Sequence, residues 1–563
     1  MNYFYIYIGV LLATFTFLGY GSLLINIINK EIFKNNIGYV GLLGLLFSTI
    51  ISYITIFFTK HGYIHNSIFH LIGLFLFTYF IINRKIEFRI GPYLLIFSIL
   101  FIGLLILRNH DDFNYYHLTY SLGLTENKLM LGLGNLGHGY TQHSSIFFLN
   151  SILYLPFVKY FLFHSTGWIT LLFINLIFIE NILLKKNKDL NFEFFFYLLS
   201  FLFINFKFFR LGSFGTDISG QIIMLCIMPL IYNLYNFSQT NQINKEKLSI
   251  TILLITYAST LKAFMILNFL YLLPLLFFTK IKKIKHIVLP KVYVVSFLTL
   301  FLLASINISY TGCAIYPIKQ TCFENKLEWS LSKKHVAMMN TWYQQWSKAG
   351  AGINYRVDDP KEYIKKFNWV SNWYERYFLY KFKETLLGMS FLIFLVFSLF
   401  HSNKKKKKLN DKKNSNRSVY IVSGITLVLF AEWFFQHPAL RYGGYYLLVS
   451  IVFIPCSYLL AKRKFKFKEK HKTIFFLIFL SYFLYNLKNI NRIMDETSMF
   501  VKNNFPLFNS PTQMFNENDI GNDIKIYVPK NLSGCWAIKT PCIHNSKHVI
   551  GSVTGNYKTI LKK

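Results

Sequence analysis

Long apolar blocks separated by short polar breaks dominate the chain. The stretches 38–59, 91–107, 218–237 and 443–460 contain no Asp, Glu, Lys or Arg, and each falls within the ~17–25 residues that a helix needs to cross a bilayer. Reading every such block predicts fourteen spans, near 5–26, 38–58, 66–82, 91–107, 167–184, 192–208, 217–236, 248–260, 262–279, 292–307, 386–400, 420–436, 443–461 and 473–487, with soft boundaries. One more apolar stretch, 145–163, either crosses or lies on the surface as a helix, and the choice inverts everything after it. The N-terminus lacks a basic n-region and the first block has no clear small-residue cleavage site, so it is expected to stay as a span.

Charge decides the orientation. If 145–163 does not cross, one side holds the loops near 30, 86, 187, 245, 285, 410 and 467, which carry 2, 3, 3, 2, 5, 8 and 7 Lys and Arg, half of the chain's 60. The positive-inside rule makes that side cytoplasmic, places both termini outside and keeps the lysine run at 404–408 inside. A crossing at 145–163 would put that run and the 462–472 cluster outside, against the rule. Cysteine placement agrees. Cys226 and Cys456 fall within spans, whereas Cys313 with Cys322 and Cys535 with Cys542 form two local pairs that land outside, on the oxidising side where disulfides persist. A metal site is the competing reading for these pairs, but neither is a C-x-x-C.

Composition then removes one function class. Lys and Arg outnumber Asp and Glu by 60 to 25, for a net charge of +35, which by itself suggests a nucleic-acid partner. A soluble basic protein needs a polar surface, however, and this 563-residue chain is 53% hydrophobic with 61 Phe and a mean hydropathy of +0.37. The basic runs are read as membrane-flanking charge touching anionic lipid, with no nucleic-acid partner. The organisation expected is an all-α polytopic membrane protein. Its segments are N-terminal helices at 1–107, an extracytoplasmic loop with an acidic motif and an interfacial helix at 108–166, and transmembrane helices at 167–307. A second extracytoplasmic loop at 308–385, transmembrane helices at 386–487 and a C-terminal extracytoplasmic segment at 488–563 complete it.

Candidate chemistry gathers at the outer ends of the spans. The first large loop opens with Asp111 and Asp112, followed by Asn114, Tyr116 and His117. One carboxylate there can accept a proton from an acceptor hydroxyl while its neighbour orients that group or binds a metal. The competing reading is an Asp pair that caps the next helix. Residues 132–137 match G-x-G-x-x-G, but the dinucleotide fingerprint needs a βαβ context that a loop between spans lacks. These glycines are read as a tight turn that lets backbone approach a ligand, with Asn135, His138, Gln142 and His143 beside it; two His five residues apart are a weak metal signal. Arg210 and Asp217 flank a Gly-Ser-rich break, Lys262 falls at a turn between two apolar segments, and Glu432, His437 and Arg441 cluster around Pro438. Ionisable groups beside hydrocarbon are costly and usually have a partner or a function. The cations suit a phosphate or diphosphate, with snorkelling to headgroups as the competing reading for Arg210 and Arg441.

An acidic motif in an early outside loop, a surface helix after it and cations at later outer span ends resemble the GT-C class of membrane glycosyltransferases. More narrowly, Asp112 with Tyr116-His117-Leu118, Gly132-Leu133-Gly134-Asn135-Leu136, Ser213 to Asp217, Thr260-Leu261-Lys262, Tyr316-Pro317, Arg441-Tyr442-Gly443 and Cys535-Trp536 with Pro541-Cys542 resemble a largely uncharacterised family of bacterial polytopic membrane proteins. In that family an Arg and an Asn follow the glycine run, where this chain has His138-Gly139. The resemblance implies a GT-C-like fold and an inner-membrane glycosyltransferase with a polyprenyl-phosphate-linked sugar as donor and a glycan, lipid or protein as acceptor. In it Asp111 or Asp112 is the general base. Arg210, Lys262 and Arg441 hold the donor phosphate, and Asn114, Tyr116, His117, Asn135, His138, Asp217, Glu432 and His437 complete the site. A divalent metal is a candidate cofactor. The alternatives are a transporter or flippase of a lipid-linked glycan, which needs polar groups near the membrane midplane, and a non-enzymatic envelope assembly protein.

Overall fold

A backbone surrounded by hydrocarbon must satisfy its own N–H and C=O groups, and a helix does this within one segment. Each of the fourteen apolar blocks overlaps helix among the described residues of the computed structural model. The model describes residues 3–28, 36–83, 87–105, 112–184, 189–209, 215–238, 244–278, 289–350, 357–401, 414–499, 514–530, 534–543 and 549–562; the lysine run at 404–408 lies outside them. The helices are α1 (Tyr3–Ile28), α2 (Ile37–Thr55), α3 (Tyr63–Ile82), α4 (Ile90–Phe101), α5 (Leu118–Glu126), α6 (Ser145–Ser151), α7 (Ser165–Leu183), α8 (Phe192–Lys207), α9 (Ile218–Ser238) and α10 (Lys245–Leu261). After these come α11 (Leu273–Phe278), α12 (Pro290–Thr311), α13 (Lys333–Lys348), α14 (Tyr380–Leu399), α15 (Asn414–Gln436), α16 (Gly444–Ala461) and α17 (Phe467–Met499). Among the described residues, ten helical stretches are long and apolar enough to cross a membrane. The blocks at α4, α8 and α10 and the stretch Ala263–Leu275 form shorter helices.

Local signals explain several starts. Asn36, Asn191 and Asn244 precede α2, α8 and α10, and each side chain accepts a hydrogen bond from the backbone N–H three residues on, at 3.2, 3.2 and 3.0 Å, which satisfies a donor the helix leaves unpaired. Burial sorts the helices into a centre and a rim. The apolar window of α9 is 94% buried and that of α2 83%, whereas the window within Val370–Leu399 is 28% buried, as expected for a helix that faces lipid. Cys226 is buried on α9 and Cys456 lies on α16.

The segments outside the apolar blocks differ from expectation in four places. First, 145–163 is not a long interfacial helix: α6 has seven residues, all buried, and at 1.5 Å per residue spans only ~10 Å. Its flank is tied down where Asn66 Nδ2 donates to the carbonyls of Ser151 and Tyr154 at 2.8 and 2.9 Å. Second, helix begins at Val370, well before 386, where Trp369 and Trp373 pack against Trp433 and Phe434 of α15. Third, α17 continues past 488 to Met499, with polar Asn489, Arg492 and Glu496 on its buried face. Fourth, the described residues from 514 onward include four strands: β1 (Phe515–Asp519) pairs antiparallel with β2 (Lys525–Pro529), and β3 (Val549–Thr554) with β4 (Tyr557–Lys562). The fold is therefore a helical bundle with two β-hairpins at its loop-rich end.

That end is stapled together. Cys313–Cys322 and Cys535–Cys542 are both disulfide-bonded. Leu131 runs parallel beside Thr559 of β4, giving its N–H to Lys558 and accepting from Ile560, each at 2.9 Å. The C-terminal hairpin thus becomes part of the first loop.

Candidate functional site

Four charged side chains from four separated segments meet at this end of the bundle, the end that the charge pattern assigns to the outside. Asp112 stands just before a π-helical turn, Phe113–His117, that runs into α5; its side chain makes no capping bond, so the capping alternative fails for this residue. Asp217 stands immediately before α9. Lys262 sits where α10 stops: its backbone is extended (φ −151°, ψ 132°), and the following 3-10 helix, Ala263–Leu272, starts from it. Arg441 lies in the single turn Leu440–Tyr442 between α15 and α16.

The charges alternate along a chain of ion pairs. Lys262 Nζ is 2.5 Å from Asp217 Oδ1, Arg441 Nε is 3.7 Å from Asp217 Oδ2, and Arg441 Nη1 is 3.4 Å from Asp112 Oδ2. The four side chains are 18% to 30% exposed, sheltered enough to strengthen the pairing and open enough to admit a ligand. An aromatic wall backs them. The Arg441 guanidinium lies 4.7 Å from the ring centre of Trp346 on α13 and 5.4 Å from that of Tyr442, and Lys262 Nζ is 4.7 Å from the Tyr442 ring. These are cation–π distances.

The turn that carries Arg441 is held from all sides by groups that are not themselves charged. Gln221, one helical turn after Asp217, donates to the carbonyls of Asp217, Leu440 and Arg441 at 3.2, 3.3 and 2.8 Å and accepts from the Tyr446 N–H at 3.2 Å. Tyr377 accepts from the Leu440 N–H at 2.9 Å. The indoles of Trp373 and Trp433 donate to the carbonyls of Pro438 and Ala439 at 2.9 and 3.0 Å. A polar group buried beside hydrocarbon must be paired, so this framework fixes the turn and with it the direction of the guanidinium.

Electrostatics follow from the layout. Burial pushes the Asp217 carboxyl up, but Lys262 and Arg441 outweigh it and hold it down at about 2. Burial works against the Arg441 cation, yet Asp217, Tyr442, Tyr116 and Asp112 together raise it well above its usual range. Burial first, then the Asp112 carboxylate, push the Tyr116 phenol up, so it stays protonated and can donate. His138 is held below the usual imidazole range by burial and by the Arg441 and Lys262 cations, against the pull of Asp112, and is neutral at pH 7.

Several of the residues singled out from the sequence sit around this cluster. Tyr116 and His117 are within electrostatic reach of it, with the buried His117 ring against Phe147. His138 pairs through Nδ1 with the Tyr343 hydroxyl at 3.0 Å and meets Trp342 edge-on. Asn114 anchors the C-terminal disulfide loop, its carbonyl accepting from the Trp536 N–H at 3.0 Å. Other residues are engaged elsewhere. Asn135 donates to the carbonyls of Trp329 and Ile560, both at 3.0 Å, and so ties three extramembrane segments together. His143 pairs with Tyr53 at 2.7 Å. Glu432 and His437 make no ion pair with the cluster among the described residues; His437 is held down to about 4 by burial and by Lys348. Asp111 and Arg210 lie outside the described residues.

One reading changes with this geometry. At Gly132, in the left-handed region at φ +70°, a Cβ would meet the Ile560 carbonyl at 2.2 Å, so this glycine serves chain packing. Among the described residues, no group of three or more His, Cys, Asp and Glu is placed to hold a metal ion; the two carboxylates are spanned by Arg441. Trp346, Tyr442 and Gln221 were not singled out from the sequence. Signals for them existed. Trp342 and Trp346 are four apart on one helix, facing the same side, and Gln221 is a polar residue inside an apolar block one turn from Asp217.

Comparison with curated proteins and with solved structures finds no match. A family model described as "Domain of unknown function (DUF8201)" matches residues 3–448, a span that contains Asp112, Asp217, Lys262 and Arg441, and the chain belongs to that family.

Proposed function

We propose that the protein is a membrane glycosyltransferase of GT-C-like architecture, crossing a bacterial inner membrane fourteen times, that transfers a sugar from a polyprenyl-phosphate-linked donor to an acceptor hydroxyl on an envelope glycan, lipid or protein. One observation carries this reading: a carboxylate and two cations, drawn from segments hundreds of residues apart, converge with an aromatic wall in one half-open site at a bundle end. In the reaction, the acceptor oxygen bonds to the anomeric carbon and its proton passes to the Asp112 carboxylate. The bond from the anomeric carbon to the phosphate oxygen breaks, and the electron pair leaves with the lipid phosphate. Lys262 and Arg441 stabilise that developing charge, and Tyr116 donates a hydrogen bond. Asp217 holds the two cations in place between turnovers.

The position of the charges at helix ends favours this reading over a transporter, whose polar groups belong near the midplane. Membranes that contain the Asp112→Asn variant should lose sugar transfer from a polyprenyl-phosphate donor by at least ~100-fold. Transfer at the wild-type rate from that variant sinks the base assignment.

A further inference from the structure

The charges at the centre sum to zero: Asp112 and Asp217 against Lys262 and Arg441. A lipid phosphate or diphosphate is anionic, and a neutral centre offers it no net attraction from a distance. Uncompensated cations lie next door. Lys207 ends α8, Lys381 stands in the first turn of α14, and Lys488 lies on α17. α8 packs against both α14 and α17, and Lys207 is within electrostatic reach of Lys381, Lys488 and Glu384. Three cations thus share one carboxylate, and among the described residues none of the three is ion-paired within 4 Å.

What holds them is aromatic. Lys488 Nζ lies 3.5 Å from the ring centre of Phe206 and 5.2 Å from that of Phe209, and donates to the Phe206 carbonyl at 3.2 Å. Lys207 Nζ is 5.0 Å from the ring of Tyr445. Ring faces position a cation without neutralising it, so the positive charge stays available. Tyr445 also joins this patch to the centre: it packs against Phe208 and Phe382 at 5.7 and 6.2 Å, four residues after Arg441 on the same stretch of chain. Beside the lysines, α14 and α17 expose Leu387, Phe391, Phe479 and Phe483, a surface suited to an acyl or prenyl chain.

We propose that Lys207, Lys381 and Lys488 form a lipid-phosphate site that captures the headgroup of the polyprenyl-linked donor, with its tail along the exposed faces of α14 and α17, and delivers it past Tyr445 to Arg441. The ligand class rests on the glycosyltransferase reading; the unpaired cations do not. Native mass spectrometry of the full chain in phosphatidylcholine nanodiscs, with polyprenyl monophosphate as probe, tests it. Each surface lysine contributes roughly a fivefold factor to binding an anionic headgroup. The Lys207→Gln, Lys381→Gln, Lys488→Gln triple variant should therefore bind the probe about a hundredfold more weakly, and the corresponding Arg triple should restore it.

If the Gln triple does not fold, the exposed Lys381→Gln variant alone should show the roughly fivefold loss. Wild-type affinity in folded Gln variants overturns the site. Equal competition by phosphatidylglycerol overturns the donor assignment, and equal competition by inorganic phosphate overturns the lipid assignment. Asp112→Asn separates the two proposals: it should fail to transfer sugar, while in that background the Gln triple should still weaken probe binding about a hundredfold. Transfer by Asp112→Asn defeats the glycosyltransferase base and leaves the lysine site standing.

Discussion

Arg492 and Glu496 on α17 use the same groups as the Asp112–Arg441–Asp217–Lys262 cluster, but the two networks are built for different ends. Arg492 Nη1 is 3.3 Å from Glu496 Oε2, one helical turn away, and both side chains are under a tenth exposed. Its remaining donors go to Asn489 Oδ1 at 3.0 and 3.2 Å and to the Leu105 carbonyl at 2.7 Å. A guanidinium enclosed and satisfied in this way fastens the end of α17 to the end of α4 and has nothing left for a ligand. In the other cluster, Arg441 reaches a carboxylate 329 residues away, and the side chains are partly open. A closed network holds structure; a half-open one can exchange an internal partner for an external anion.

That contrast can be broken by experiment. The largest effect is expected on chemistry: Asp112→Asn should cost ~100- to 10,000-fold in sugar transfer while changing stability by under ~1 kcal/mol, because a partly exposed pair contributes little. The converse variant is Arg492→Leu, which removes one partner of a buried ion pair. It should destabilise the bundle by ~3–5 kcal/mol in thermal unfolding, with transfer per folded molecule unchanged. Loss of transfer without loss of stability would place Arg492 in the functional site and end the comparison. Between these extremes, Gln221→Leu removes the bonds that set the Arg441 turn and should lower transfer ~10-fold, with Lys262 and Asp112 intact.

A further effect concerns acid. With its folded value near 2, below the ordinary 3.8, Asp217 contributes stability that is fully present above pH ~4 and is lost as pH falls toward 2, worth ~2 kcal/mol. A thermal-unfolding series over that window should show the loss, and Lys262→Met should flatten it. An unchanged slope in the Lys262 variant would mean that Arg441 alone holds Asp217 down.

The helical blocks were legible because their signal is local: an uninterrupted apolar run can satisfy its backbone in only one way inside a membrane. The two disulfides were legible because charge and compartment agreed on where the cysteines lie. The hairpins were not, since Phe515–Asp519 reads Phe-Asn-Glu-Asn-Asp, with no apolar alternation to mark a strand. Nor was the buried state of α6, whose apolar residues suit a membrane surface and a protein interior equally well.

At the site, the residue types and their position at helix ends were in the sequence. Ionisable side chains beside apolar blocks are costly there whatever they touch, so Asp112, Asp217, Lys262 and Arg441 stood out one at a time. Their grouping was decided by tertiary structure alone. Arg441 with Asp112 and Asp217, Trp346 behind the guanidinium, Gln221 beneath the turn and Asn135 turned away to the hairpin are contacts between distant segments. Which helix ends meet depends on packing that no local pattern encodes. The charged groups were written in the chain, and the fold chose their partners.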